Sequence, residues 1–247
     1  MTLKWKLKKF RRAVRLKLKN LIWQEVLVLG DSHSLVFRRK SMGKAFPGVF
    51  FHVVGVGGAT LSGLNNPDSK TQAGPRLLEG LSNSRADLAL VQMGEVDTGF
   101  VLWGRAERHG KDVSEMLEEA VENYKSFLLQ VKAKMAVICI STPLPTIPDG
   151  VEWGEVAFKR KSVKAGQRAR TELTLQLNRM MEEFCRQNGM EYLSLDDESR
   201  GEDGLVHPRL LNSDPRDHHY EAGVYEELLV EALKKSPKMS AIMEGSI

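Results

Sequence analysis

Five short apolar runs set the tightest limit on what this chain can fold into. Residues 26–29 (VLVL), 49–54 (VFFHVV), 87–93 (DLALVQM), 136–140 (AVICI) and 190–195 (MEYLSL) each have the length of a buried strand. Between and after them lie stretches that suit helices, at 35–44, 115–132, 163–188 and 221–235. Within 163–188, Leu173, Leu177, Met180, Met181 and Phe184 share one face, a stripe that packs a core. Strands that alternate with helices pair in parallel, because each crossover returns the chain to the same end of the sheet. The expected fold is therefore an α/β domain, a central and mainly parallel five-stranded sheet covered on both faces. With 247 residues, 42% of them hydrophobic, the chain can bury such a core, and it contains no apolar run of membrane-spanning length.

Charge divides the chain unevenly. The formal net charge is +4, yet the first 19 residues hold nine Lys or Arg and no acid, which leaves 27 basic against 32 acidic residues in the remainder. Leu3, Leu7, Phe10 and Val14 recur at helical spacing among those cations, beside Trp5, as in a basic amphipathic helix. Residues 1–22 are read as this leader, 23–235 as the folded domain and 236–247 as a flexible tail. The leader suits an anionic membrane surface through residues 1–20, and equally a helix that packs on its own chain. It does not read as a signal peptide, because the apolar residues 21–23 are followed at once by Gln24 and Glu25. No nucleic-acid module accompanies the charge, so no specific nucleic-acid partner is expected. Cys139 and Cys185 support no disulfide framework and suit buried thiols in a reducing compartment. The expected location is cytoplasmic, peripheral to the membrane where the leader binds.

Polar residues mark the ends of the first three strands. The first ends in Gly30-Asp31-Ser32-His33-Ser34, the second in Gly55-Val56-Gly57-Gly58-Ala59-Thr60, the third in Gly94-Glu95-Val96-Asp97. A doubly wound sheet brings such ends to one edge, outside which ligands bind. The glycine-rich stretch lacks the Gly-Lys-Ser/Thr ending of a P-loop and does not fit GxGxxG. A further cluster, Asn212-Ser213-Asp214-Pro215-Arg216-Asp217-His218-His219-Tyr220, precedes the last predicted helix. A hydroxyl nucleophile needs a base within reach, and the base needs an acid to fix its tautomer. Ser32, one of the adjacent histidines, and Asp217 or Asp214 supply all three. Backbone N–H groups of Ser32 and Gly58 supply donors for an oxyanion. Each fragment also has a simpler role: Asp31-Ser32 suits a helix cap, the histidine pair a surface, and the glycines a tight turn.

On these residues the chain resembles the SGNH (GDSL-like) hydrolases, from about residue 26 to residue 233. The resemblance implies a flavodoxin-like three-layer α/β/α domain and an ester-hydrolase or acyltransferase activity that needs no cofactor and no metal. It implies Ser32 as nucleophile and Gly58 as oxyanion donor. Two departures stand out. Val96 occupies the place of an oxyanion-binding Asn, and Glu95 beside it would repel an oxyanion when ionised. Neither histidine has an Asp three residues earlier, since Pro215 and Arg216 stand there. Asp217 with His219 is the preferred acid and base, and Asp214 with His218 the alternate. Glu95, Asp97, Trp103 and Arg105 complete the candidate substrate-binding set; Trp103 and Arg105 equally suit helix packing and a surface charge. The implied partner is a small-molecule or glycan acyl ester. Two other classes fit parts of the chain. One is a catalytically weakened domain of the same type that binds a glycan or partner and is tethered by the leader. The other is a metal-dependent phosphoesterase using Asp31-x-His33 with His218 and His219.

Overall fold

The computed structural model describes residues 23–150, 164–214 and 217–245. The basic leader, the start of the helix expected from residue 163, and the Pro215-Arg216 pair lie outside the described residues.

Five strands form one all-parallel sheet in the order β2-β1-β3-β4-β5: β1 (Gln24–Gly30), β2 (Val49–Gly55), β3 (Leu88–Gln92), β4 (Ala136–Ile140) and β5 (Glu191–Leu193). The two-residue period of the strands sorts their side chains into two cores. Leu27, Leu29, Ala89, Val91, Val137 and Cys139 face one side, against α2 (Ala73–Asn83), α3 (Leu102–His109), α4 (Val113–Lys132) and α5 (Gln167–Gln187). Val26, Val28, Leu88, Leu90, Ile138 and Ile140 face the other. There they meet α7 (Ala222–Lys235) and the 3-10 helix Ser32–Arg38, which is followed by α1 (Lys40–Ala45); the short α6 (Asp196–Ser199) precedes α7 in the chain. Expectation and structure agree on the five strands and on a three-layer α/β/α domain.

The order of the sheet positions the site. After β1 the chain moves outward to β2, then passes back across β1 to β3, so β1 and β3 are neighbours whose connections leave in opposite directions. Such a divergence opens a crevice beyond the strands' C-terminal ends. The ends of β1 and β3 are the Gly30-Asp31-Ser32 and Gly94-Glu95-Val96-Asp97 stretches.

Several expectations are corrected. The helix expected at 35–44 is two pieces, because the Asp31 side chain caps a 3-10 turn that starts at Ser32, and Arg39 is extended. Three helices within the domain were not expected: α2, the π-turn Asp97–Val101 continuing into α3, and the short α6. Gly74, Pro75 and Gly80 in the first, and Gly99 and Gly104 in the second, lower helix propensity, and packing overrides it. The 236–247 tail contains a helix, α8 (Pro237–Met243). Ser236 caps it, Pro237 begins it, and Met239 and Ile242, three residues apart, are buried against the second core. Both cysteines are buried free thiols; Cys185 alongside and burial push the Cys139 thiol well above its ordinary range.

Candidate active site

The turn after β1 is fixed by backbone contacts. A side chain on Gly30 would put its Cβ 2.2 Å from the Gln92 carbonyl oxygen, so only glycine lets β1 and β3 approach here. Asp31 donates its amide to that same oxygen at 3.3 Å, while its buried carboxylate accepts the His33 amide at 2.9 Å. Ser34 Oγ donates to the Asp31 carbonyl at 2.6 Å. Asp31 thus does serve as a helix cap, and the cap holds Ser32 as the first residue of the 3-10 turn, partly exposed at the sheet edge. Gln92 anchors the other side: its Nε2 donates to the Ser141 carbonyl at 2.9 Å and its Oε1 accepts from Tyr225 Oη at 2.8 Å. Neither Gln92 nor Tyr225 stood out in the sequence, although a glutamine closing an otherwise apolar strand is a usable signal.

After β2, Gly58 takes a φ of +68°, a conformation other residues seldom adopt. The loop beyond it is held by Asp97, which is fully buried and accepts from Leu61 N at 2.8 Å, Ser62 N at 3.4 Å and Ser62 Oγ at 3.2 Å. Burial pushes the Asp97 carboxyl up to about 7 in spite of those donors. Arg105 donates from Nη1 to Ser62 Oγ at 2.9 Å and from Nη2 to Glu119 Oε2 at 3.1 Å. Trp103 donates its indole N–H to the Thr98 carbonyl at 2.8 Å and packs against the first core. Three of the residues considered for substrate binding therefore have protein partners: Asp97 and Arg105 brace Ser62, and Trp103 packs. Val96 is buried and its side chain offers no polar atom, while the buried Glu95 carboxylate lies 3.9 Å from His218 Nε2.

The Asp/His segment returns to this edge from the far end of the chain. His219 Nδ1 and its backbone amide both meet Asp217 Oδ1, at 2.6 and 3.0 Å, and Asn212 Nδ2 donates to Asp217 Oδ2 at 3.2 Å. Partial burial raises the Asp217 carboxyl, but the His219 amide and imidazole outweigh it and hold the group below the usual carboxylate range. A carboxylate can only accept, so neutral His219 carries its proton on Nδ1 and keeps its lone pair on Nε2. Asp214 makes a tight turn with Asn212, its amide 3.0 Å from Asn212 Oδ1.

The two distant segments meet through their rings. The His33 centroid lies 4.8 Å from that of His219 and 5.7 Å from that of His218, and His218 and His219 are 4.1 Å apart. Among the described residues no hydrogen bond joins Ser32 Oγ to His219; the contact observed between the two segments runs through the ring of His33, the residue after Ser32. Two hydrogen bonds pin the segment to the irregular stretch after β4: Leu144 N donates to the buried Tyr220 Oη at 2.6 Å, and Thr146 Oγ1 donates to the His218 carbonyl at 2.8 Å. Asp217, His218 and His219 have the donor chemistry to hold a cation.

Solved structures of similar fold include a GDSL-like lipase from Bacteroides thetaiotaomicron, 16% identical over 90% of this chain and 89% of that one, with a TM-score of 0.59. A carbohydrate acetylesterase family member from Sinorhizobium meliloti is 14% identical over 90% of this chain and 99% of that one, with a TM-score of 0.54. An extracellular lipase from Streptomyces rimosus is 14% identical over 85% and 99%, with a TM-score of 0.51. No protein-family model matches the sequence, and no curated protein matches it.

Proposed function

We propose, from the GDSL-like hydrolase fold that this chain has, that it is a serine ester hydrolase acting on an O-acyl group. Ser32 Oγ attacks the acyl carbonyl, and His219 Nε2 takes its proton and passes it to the departing alcohol. A water activated by the same nitrogen then releases the acid from Ser32. Asp217 fixes the His219 tautomer and stabilises the imidazolium, and the N–H groups of Ser32 and Gly58 face the developing oxyanion. The observation that carries the reading is His219, held by Asp217 at 2.6 Å, against the ring of the residue next to Ser32.

A carbohydrate ester is the favoured substrate class, supported by the name of the Sinorhizobium meliloti neighbour. The test is labelling with a fluorophosphonate, followed by acetate release from acetylated sugars. Labelling is expected at Ser32 and lost in Ser32→Ala; labelling that persists in that variant assigns the nucleophile elsewhere.

Val96 favours a second reading, a weakened hydrolase that chiefly binds its glycan. Tight binding of a sugar ester with no turnover across a broad ester panel would select it. We also propose that residues 1–20 bring the domain to an anionic membrane surface. Sedimentation with anionic vesicles, weakened by salt and lost on removal of those residues, is the expected result; equal sedimentation without them would refute it.

A further inference from the structure

Three histidines converge here where one base would suffice. His33, His218 and His219 come from opposite ends of the chain, with ring centroids 4.1 to 5.7 Å apart. Each also has a carboxylate beside one ring nitrogen. Asp31 Oδ1 is 3.4 Å from His33 Nδ1, Glu95 Oε2 is 3.9 Å from His218 Nε2, and Asp217 Oδ1 is 2.6 Å from His219 Nδ1. The ligand atoms of Asp217, His218 and His219 lie within 4.8 Å of one another.

We propose that His33, His218 and His219 form a binding site for a transition-metal cation of the zinc type, supported by Asp31, Glu95 and Asp217. The spacing fits. A Zn–N bond of about 2.0–2.1 Å puts a ring centroid roughly 3 Å from the metal, so tetrahedrally arranged imidazoles have centroids roughly 5 Å apart. The three observed spacings straddle that value. The donor set fits as well, because imidazole suits zinc, copper and nickel, whereas magnesium and calcium take oxygen ligands. A histidine that ligates a metal commonly gives its other nitrogen to a carboxylate, which turns the lone pair toward the metal. Access comes from one side: the His33 and His218 side chains are 1% and 13% exposed, His219 and Asp217 33% and 41%.

The consequence rests on the serine-hydrolase reading. A cation on His219 Nε2 takes the lone pair that would accept the Ser32 proton, so binding switches the hydrolase off. The test titrates Zn²⁺ into the metal-free full chain against a chromophoric chelator, then measures fluorophosphonate labelling with and without Zn²⁺. One equivalent is expected to bind, undisturbed by excess Mg²⁺, and to suppress labelling. Affinity should fall about tenfold or more in His218→Ala and Asp217→Asn and stay unchanged in Ser32→Ala. Because losing a buried ring can disturb the turn, His33→Gln, checked for wild-type circular dichroism, is compared with His218→Ala and should lose affinity likewise. Failure to bind one equivalent, or wild-type affinity in His218→Ala, overturns the site. Zn²⁺ binding with undiminished labelling overturns the switch. Histidine-dependent binding by a protein whose Ser32 is never labelled supports the site and overturns the hydrolase reading.

Discussion

Two carboxylate–imidazole pairs sit toward opposite edges of the same sheet, each with a serine nearby, and they are built differently. Toward the N-terminal edge, Glu25 Oε1 lies 2.8 Å from His52 Nδ1 and accepts from Ser84 Oγ at 2.7 Å. The His52 and Glu25 side chains are 8% and 4% exposed. Its serine donates to the acid, so the hydroxyl is spent on a static bond and has no base to activate it. At the C-terminal edge, Asp217 holds His219 from behind, the pair is a third or more exposed, and the serine sits on a glycine turn beside the crevice. Residue types alone do not distinguish the two. Their position relative to the strands' C-terminal ends, and whether the acid's second partner is the serine hydroxyl, do.

The sharpest way to break this contrast is to remove each serine. Ser32→Ala is expected to lower ester hydrolysis by about 10⁴-fold or more with unchanged folding. Ser84→Ala should leave the rate within about twofold and cost about 1–3 kcal/mol of stability, from a buried carboxylate that loses a donor. Rates and urea midpoints measured side by side decide it, and a large rate loss in Ser84→Ala would erase the distinction.

Removing each acid's charge comes next. Asp217→Asn removes the tautomer control and should lower kcat about 10²- to 10⁴-fold while shifting the melting temperature little, because the side chain is part-exposed. Glu25→Gln keeps the shape of a buried group but alters its bonds to His52 and Ser84. It should lower stability by about 1–3 kcal/mol with kcat preserved in the folded fraction.

The contrast also explains what the sequence displayed. The five strands were legible because buried parallel strands are apolar on both faces. Their ends were legible because Gly, Asp and Ser interrupt those runs. Ser32, Asp217 and His219 stood out because each lies in a short polar cluster. Glu25, His52 and Ser84 did not, being 27 and 59 residues apart with no local pattern. The roles of Asp97 and Arg105 were equally hidden. Both are polar groups near a sheet edge, yet both are committed to Ser62, and only the packed loop shows it. The tail helix α8 was missed for the opposite reason: Met239 and Ile242 are too few for a periodicity to emerge, and their burial depends on the second core.

Asp97 sharpens the comparison within the C-terminal edge itself, since it shares the edge but holds the loop at Leu61 and Ser62. Its carboxyl stands at about 7 in the folded chain against an ordinary 3.8. Between those values the folded protein keeps a proton that the unfolded chain has released, so raising the pH through this window lowers stability. The full loss is at most about 4 kcal/mol. Asp97→Asn cannot titrate and should flatten that slope, while its amide nitrogen cannot accept from Ser62. Urea midpoints at pH 5 and pH 8 should therefore show wild type ahead at pH 5 and the gap narrowing by pH 8. A gap of constant size would show that Asp97 is already ionised at pH 5.

The smallest expected effect tests how the Asp/His segment is held by a single contact. Thr146 Oγ1 donates to the His218 carbonyl at 2.8 Å, joining the stretch after β4 to the Asp/His segment. Thr146→Val keeps the branched shape and removes only that donor. The loss should be about 0.5–1.5 kcal/mol in stability, because the carbonyl is part-buried and not stranded. If the bond also positions His219, kcat should fall several-fold with KM unchanged, and Thr146→Ser, which restores the hydroxyl, should recover it. A stability loss with wild-type kcat would make Thr146 an ordinary loop contact, and would leave Asp217 and Tyr220 as the groups that aim the base.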